Sequence, residues 1–364
     1  MKDFNNGCTR VFLIMGDNCN MQCKYCKEHK IVTCNAPKKE LHPKLLDWLK
    51  QQIAKEPTVI NFYGGEPLLY FDTIKYIVET LAIEPGEVIY TTMCNGTTLT
   101  KEIVEFINKH DITVNLSWDG PNVLETRGRD VFAEPELRNN ILDVNTLWVN
   151  STITTKSYPW ECAEALTPIV EEYTERHGYP FRINLGLATP TEINTYLYDY
   201  DFQRIYHEMQ DIMWTVVDRD NPCTAARIIA ERQLYILQKG VTDIKIKFYD
   251  IDISGNLFLC PFSRNTVATL DNIEDYADIC AKVKQHEQCL NCGLYYICHG
   301  CCKFITDPAQ FENACTLRQA MYIPILELAQ GHLARIRAEQ NSSTIEATTA
   351  EDTVVADTSE ETKE

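Results

Sequence analysis

Cys19-Asn-Met-Gln-Cys23-Lys-Tyr-Cys26, placed just after the apolar run Val11-Phe12-Leu13-Ile14-Met15, sets three thiols within eight residues. Three thiolates on one tight loop can hold three corners of a cubane iron–sulfur cluster and leave the fourth iron without a protein ligand. An open coordination position is what separates a catalytic metal centre from a closed structural one. The competing reading is a zinc site or buried thiols. Zinc pairs usually run C-x2-C with a second pair nearby, whereas these three thiols stand together at an uneven spacing.

The spacing C-x3-C-x2-C, with aromatic Tyr25 before the last cysteine, resembles the signature of radical S-adenosylmethionine (radical SAM) enzymes. The chain around it has a matching rhythm. Short apolar strand candidates at Val11–Met15, Val59–Tyr63, Val88–Met93, Thr113–Ser117, Leu147–Ile153 and Arg182–Leu187 alternate with helical segments. The helical segments lie near Lys44–Ala54, Thr73–Ala82, Lys101–Lys109, Pro135–Asp143 and Cys162–Arg176, and a sixth fits Phe202–Val216. Two three-strand units would fit this α/β count. An open, partial (β/α)6 TIM barrel fits better, because polar and glycine-rich segments follow the strands, where barrel enzymes keep their sites.

Three such segments continue the resemblance. Gly64-Gly65-Glu66-Pro67 follows the second strand; two glycines permit close backbone approach, and a carboxylate can accept from an ammonium group. In radical SAM enzymes a segment of this kind binds the methionine amino group. Met93-Cys94-Asn95-Gly96 and Ser117-Trp118-Asp119-Gly120-Pro121 end the next two strands. They resemble the segments that line the cofactor pocket near its carboxylate and ribose. Arg127 stands where related enzymes often place an arginine close to that carboxylate. The resemblance therefore implies Tyr25, Gly64, Gly65, Glu66, Asn95, Ser117, Asp119 and Arg127 as cofactor-binding residues, and it names no catalytic acid or base.

Past Asn221-Pro222 the pattern changes to a helix (Ala225–Gln238), a hairpin around Ser254-Gly255, a cysteine-dense stretch from Cys260 to Cys315 and a last helix near Ala320–Ala338. Gly255-x4-Cys260 and Cys289-x2-Cys292-x5-Cys298-x3-Cys302 with Cys315 resemble the SPASM extension of radical SAM enzymes, which holds auxiliary [4Fe–4S] clusters. A zinc-ribbon-like site is the bland alternative. The resemblance implies Cys289, Cys292, Cys298 and Cys315 around a distal cluster, with Cys260 and Cys302 contributing to a proximal one. Two departures matter. The cysteine expected upstream of Gly255 is missing, so a second cluster would need Cys223, Cys280 or Cys301. Pro261 also stands where sulfatase-maturating members carry an aspartate thought to act as a base. The other cysteines (Cys8, Cys34, Cys94, Cys162) read as small apolar side chains, and His299 as a donor behind a cluster ligand.

The organisation expected is a radical SAM core over residues 1–222, a SPASM-like domain over 223–338 and a disordered acidic tail over 339–364. The chain of 364 residues is 45% hydrophobic and 24% charged, within the range of globular proteins. No apolar stretch suits a bilayer, and Met1–Asn6 lacks a signal core. Sixteen cysteines in a chain without an export signal point to metal in the cytoplasm, not to disulfides. Of a net charge of −18, six negative charges lie beyond Gln340, and the acidic remainder disfavours nucleic acid as a partner.

The implied activity is one-electron reductive cleavage of S-adenosylmethionine, with flavodoxin or ferredoxin as donor, followed by hydrogen abstraction from a C–H bond. The preferred substrate is a ribosomally made peptide or protein side chain. With the motif starting at Cys19, a peptide-recognition domain would have to be a separate protein, or the substrate is something else. A sulfatase-maturase-like oxidase is the nearest alternative, and a zinc-bound scaffold without turnover is the rival from another class.

Overall fold

The computed structural model describes residues 7–26, 31–32, 40–83, 86–188, 199–218, 220–240, 246–260, 265–298 and 304–355. Six parallel strands form its centre: β1 (Cys8–Ile14), β2 (Thr58–Tyr63), β3 (Val88–Cys94), β4 (Thr113–Ser117), β5 (Leu147–Ile153) and β6 (Arg182–Leu187). Neighbours pair in sequence order, and β7 (Ile246–Asp252) lies parallel to β1 on its other side, Cys8 opposite Ile246 through Ile14 opposite Asp252. Antiparallel β8 (Asn256–Phe258) and β9 (Ala268–Thr269) complete that edge. The result is a curved, open sheet with parallel pairing dominant, a partial barrel that does not close.

The sheet does not break at residue 222. The segment beyond it contributes three strands: β7 takes the free edge of β1, and the hairpin around Gly255 turns β8 back onto β7. Gly255 adopts φ +84°, and a Cβ there would fall 2.8 Å from the His42 ring.

Helices α1 (Leu45–Lys55), α2 (Phe71–Leu81), α3 (Lys101–Lys109), α4 (Val123–Arg127), α5 (Pro135–Leu142), α6 (Pro159–His177), α7 (Phe202–Trp214) and α8 (Thr224–Gly240) follow in order. Their limits have local causes. Thr100 Oγ1 accepts from Ile103 N at 3.3 Å and starts α3, Asp201 Oδ1 accepts from Arg204 N at 2.9 Å and starts α7, and Gly178, at φ +78°, ends α6. The main core lies between these helices and the outer sheet face, where Ile60, Phe62, Val114, Val149 and Ile183 are buried. The inner face is different. Along β3 and β5 buried and half-buried residues alternate, so these strands do not read as strands covered equally on both faces. Thr91, Asn115 and Trp148 line a lumen.

After the hairpin come α9 (Tyr276–Lys282), α10 (Glu287–Leu290), α11 (Tyr295–Cys298) and the long α12 (Pro308–Val355). α12 packs along α7, with Tyr206 Oη donating to the Glu327 carboxylate at 2.7 Å. It starts earlier than expected and its backbone stays helical into the stretch whose composition reads as a disordered tail. Ala, Glu and Gln between Ala338 and Glu351 are good helix formers, a property that a disorder reading based on Ser, Thr, Ala and Glu content and missing aromatics overlooks. No helix among the described residues is long and apolar enough to cross a membrane.

Candidate active site

Every parallel strand ends on the same edge, and a cavity of about 220 Å³ opens there. Cys19, Cys23 and Cys26 line it together with Gly64, Gly65 and Glu66 after β2, Cys94 at the end of β3 with Asn95 after it, and Ser117 at the end of β4. Tyr25 and Arg127 also reach it. Tyr63, Met93, Thr152, Leu187 and Ala188 complete the wall. Of these, Met93 entered the sequence reading only as part of the segment ending β3, and the other four were not singled out. The available signal was strand alternation, which turns Tyr63, Met93 and Thr152 inward; Tyr63 and Met93 also adjoin strand ends already read as functional, whereas the end of β5 was not.

The glycine pair acts through backbone packing. Gly65 N donates to Gly16 O at 2.9 Å and Glu66 N to Asn18 O at 2.8 Å. A Cβ on Gly64 would sit 2.4 Å from Gly16 O, and one on Gly65 2.4 Å from Asn18 O. The close approach permitted by these glycines is that of the strand leading into the cysteine loop. Tyr70 Oη reinforces it, donating to Asn18 Oδ1 at 2.7 Å.

Glu66 is buried at 1% exposure. Its Oε1 accepts from Leu68 N at 3.0 Å and its Oε2 from Asn95 N at 2.7 Å. The carboxylate thus ties the β2 turn to the β3 turn. Asn95 Nδ2 donates to Asn20 Oδ1 at 2.9 Å and lies 4.0 Å from Cys19 Sγ, so the third strand end braces the first cysteine.

Asp119 does not line the cavity. It is fully buried behind Tyr25, whose phenol donates to Asp119 Oδ2 at 2.6 Å. Thr126 Oγ1 donates to the same oxygen at 3.1 Å and Thr152 N to Oδ1 at 3.0 Å. Arg127 donates to the Tyr25 oxygen and holds Nη1 3.7 Å from Asp119 Oδ1. Burial raises the Tyr25 phenol well above its usual range, against the pull of Arg127. Burial disfavours the charge on Arg127, and the Tyr25 and Asp119 neighbours outweigh it, so the guanidinium stays charged at the cavity wall. Asp119 is therefore a buried anchor for Tyr25 and Arg127, itself tied to β5 through Thr152 N.

Cys8 and Cys162 are buried, as small apolar side chains would be. Cys94 is equally buried but also faces the cavity, and burial followed by the Glu66 carboxylate pushes its thiol well above the usual range.

A second cavity, of about 210 Å³, is lined by all four of Cys289, Cys292, Cys298 and Cys315, with Tyr295 and Phe311 beside them. Four thiols around one small space suit a four-thiolate cluster. Among the described residues no three His, Cys, Asp or Glu side chains are gathered as a single metal ion would gather them. Cys260 ends the β8 strand region, and Cys280 lies against Tyr276, whose phenol donates to Phe258 O at 2.6 Å. Cys223 is in the main core instead, 3.4 Å from Thr167 Oγ1. Cys34, Pro261, His299, Cys301 and Cys302 lie outside the described residues.

Residues 13–138 match the model of the radical SAM superfamily. The chain carries a radical SAM domain. It is 27% identical over 128 residues to the radical SAM cyclopropyl synthase TigE of Paramaledivibacter caminithermalis, a match that spans 31% of this chain and only 27% of that protein. It is 19% identical over 325 residues to a cysteine-type anaerobic sulfatase-maturating enzyme of Clostridium perfringens, covering 79% of this chain and 87% of the relative. A solved structure of anSMEcpe with bound AdoMet superposes at a TM-score of 0.62 and 15% identity, over 92% of this chain and 96% of that one. A further anSMEcpe structure, with AdoMet and a Cp18Cys peptide, matches equally well over 99% of its length. At such identities the likeness speaks to the fold, over much more of the chain than the radical SAM model matches.

Proposed function

We propose that this radical SAM enzyme abstracts hydrogen from a C–H bond of a ribosomally made peptide or protein side chain. One observation carries the reading. Cys19, Cys23 and Cys26 face the same cavity as Glu66, Asn95, Ser117 and Arg127, at the strand ends where a parallel barrel builds its chemistry. The three thiolates would hold a [4Fe–4S] cluster with one iron open to S-adenosylmethionine. Bound together, and given one electron from a flavodoxin or ferredoxin, cluster and cofactor would supply the 5′-deoxyadenosyl radical chemistry needed for hydrogen abstraction.

The chain supplies orientation and exclusion of water. Glu66 would accept from the methionine ammonium, and Arg127, kept charged by its buried neighbours, would pair with the methionine carboxylate. Asn95 and Ser117 offer hydrogen bonds to the polar remainder. Tyr25 and Asp119 would act by holding Arg127 in place. The cysteine-rich segment would hold one auxiliary [4Fe–4S] cluster on Cys289, Cys292, Cys298 and Cys315. A second, using Cys260 and Cys302, would draw on Cys280 in preference to Cys223, which is committed to the core. A reducing cytoplasm suits so many thiols.

The peptide substrate draws on the relatives, one of which was solved with a peptide bound. A sulfatase-maturase-like oxidase is the second reading, favoured by likeness along most of the chain. Pro261, which has no titratable group, weighs against it. The test is anaerobic reconstitution with iron and sulfide, followed by 5′-deoxyadenosine assay of the wild type and of Cys19→Ala/Cys23→Ala/Cys26→Ala. The triple variant should retain part of its iron and lose all cofactor cleavage; residual 5′-deoxyadenosine above background would defeat the assignment. For the substrate, a short peptide encoded beside the enzyme should lose hydrogen by mass spectrometry, and an unmodified peptide would count against the peptide reading.

A further inference from the structure

Beneath the cysteine cavity, the barrel lumen holds a second and larger space of about 690 Å³ that opens at the N-terminal ends of the strands. Its wall is unusual for an acidic protein. Arg10 from β1, Arg182 from β6 and Arg232 from α8 all line it, and no Asp or Glu does among the described residues. The guanidinium carbons of Arg182 and Arg232 lie 4.9 and 4.8 Å from the centre of the Trp148 ring. Stacking on an indole holds two like charges in place but does not neutralise them.

Hydrogen bonding points the same way. Arg232 Nε donates to Asn184 Oδ1, and Asn184 Nδ2 donates to Asn150 Oδ1 at 2.8 Å. That chain ends at Asn150 Nδ2, which is buried without a partner, and Asn61 Oδ1, on the lumen wall, is also unpartnered. Arg232 is lowered from its ordinary range by burial first and by Arg182 second, the behaviour of a cation without a counter-charge. Buried polar groups left in this state normally have a partner.

The geometry points to the lower lumen as a binding site for a small oxyanion, carried on a polycarboxylate or phosphate compound, clamped by Arg182 and Arg232 with Arg10 at the mouth. Guanidinium forks suit the planar or tetrahedral oxygens of such groups. Met93 belongs to the walls of both cavities, so an occupant below would rest against the floor of the cysteine site. The site is independent of the cofactor chemistry above, and its test does not rely on turnover.

Citrate, pyrophosphate and inorganic phosphate should be titrated separately into the anaerobic, cluster-loaded protein at ionic strength matched with NaCl. Calorimetry and tryptophan fluorescence supply the readouts. At least one probe should bind saturably and change the fluorescence, and the change should vanish in Trp148→Phe. Arg182→Gln and Arg232→Gln should each weaken binding about tenfold or more, as loss of a charge-assisted contact implies. Arg182 is exposed at the rim, so its variant keeps the test valid should Arg232→Gln fold poorly. No saturable binding of any probe, or binding unchanged in both variants, would overturn the proposal.

Discussion

Asp250 provides a sharp test of how burial sets stability. It sits on β7 opposite Phe12 and Phe258, is 6% exposed, and leaves its Oδ1 without a hydrogen-bond partner. Burial raises its carboxyl from 3.8 to about 7. The folded state therefore holds this proton more tightly than the unfolded chain does. Stability from this group is fully present below about pH 4 and is lost as pH rises through about 7. Three pH units at about 1.4 kcal/mol each give a cost of roughly 4 kcal/mol above neutrality. Asp250→Asn removes that cost, and burying the amide returns about 1–3 kcal/mol of it. The variant should gain about 1–3 kcal/mol at pH 8 and be equal to or up to about 2 kcal/mol less stable than the wild type at pH 4.5. In a protein of this size each kcal/mol corresponds to at most about 2–4 °C. The assay is anaerobic thermal unfolding at one scan rate, with wild type and variant compared from pH 4.5 to 8.5. A melting-temperature difference independent of pH, or a variant less stable at pH 8, would refute the argument.

Other outcomes follow from the same geometry. Glu66→Gln should lower stability by about 1–3 kcal/mol, because an amide nitrogen would replace one oxygen that accepts from a backbone N–H. It should also weaken S-adenosylmethionine binding by about tenfold to a hundredfold; an unchanged melting curve with weakened binding would mean that the turn does not need the charge. Reconstituted protein with one auxiliary cluster should carry about eight irons, and with two about twelve, at four per cubane. In the second case Cys280→Ala should remove about four irons and Cys223→Ala none, and the reverse would show that the spare ligand comes from the core. Truncation after Asn341 should leave cluster content and solubility unchanged, since the segment is polar and terminal; loss of iron would make the helical extension part of the structure.

Much of the site was legible because its chemistry depends on local spacing. Three cysteines within eight residues share one loop in any fold, and turn segments at the ends of parallel strands must share one edge. The roles inside those segments were less legible. Asp119 reads as a wall residue but lies behind Tyr25, and the glycines of the β2 turn make room for the strand leading into the cysteine loop. Both results depend on which side of a turn faces the neighbouring strand, and no spacing rule encodes that.

The sequence by itself determined the alternation of strands and helices, the order of the barrel and the two groups of cysteines, because periodicity and ligand spacing are local properties of the chain. Tertiary structure alone decided that the segment past residue 222 continues the sheet through β7, since a strand's partner depends on which edge remains free. It also decided that Cys280 lies near the Cys260 hairpin while Cys223 packs in the core. The convergence of Arg10, Arg182 and Arg232 on one lumen belongs there too. These arginines are separated by up to 222 residues in the chain, and only the curvature of an open parallel sheet brings their charges together.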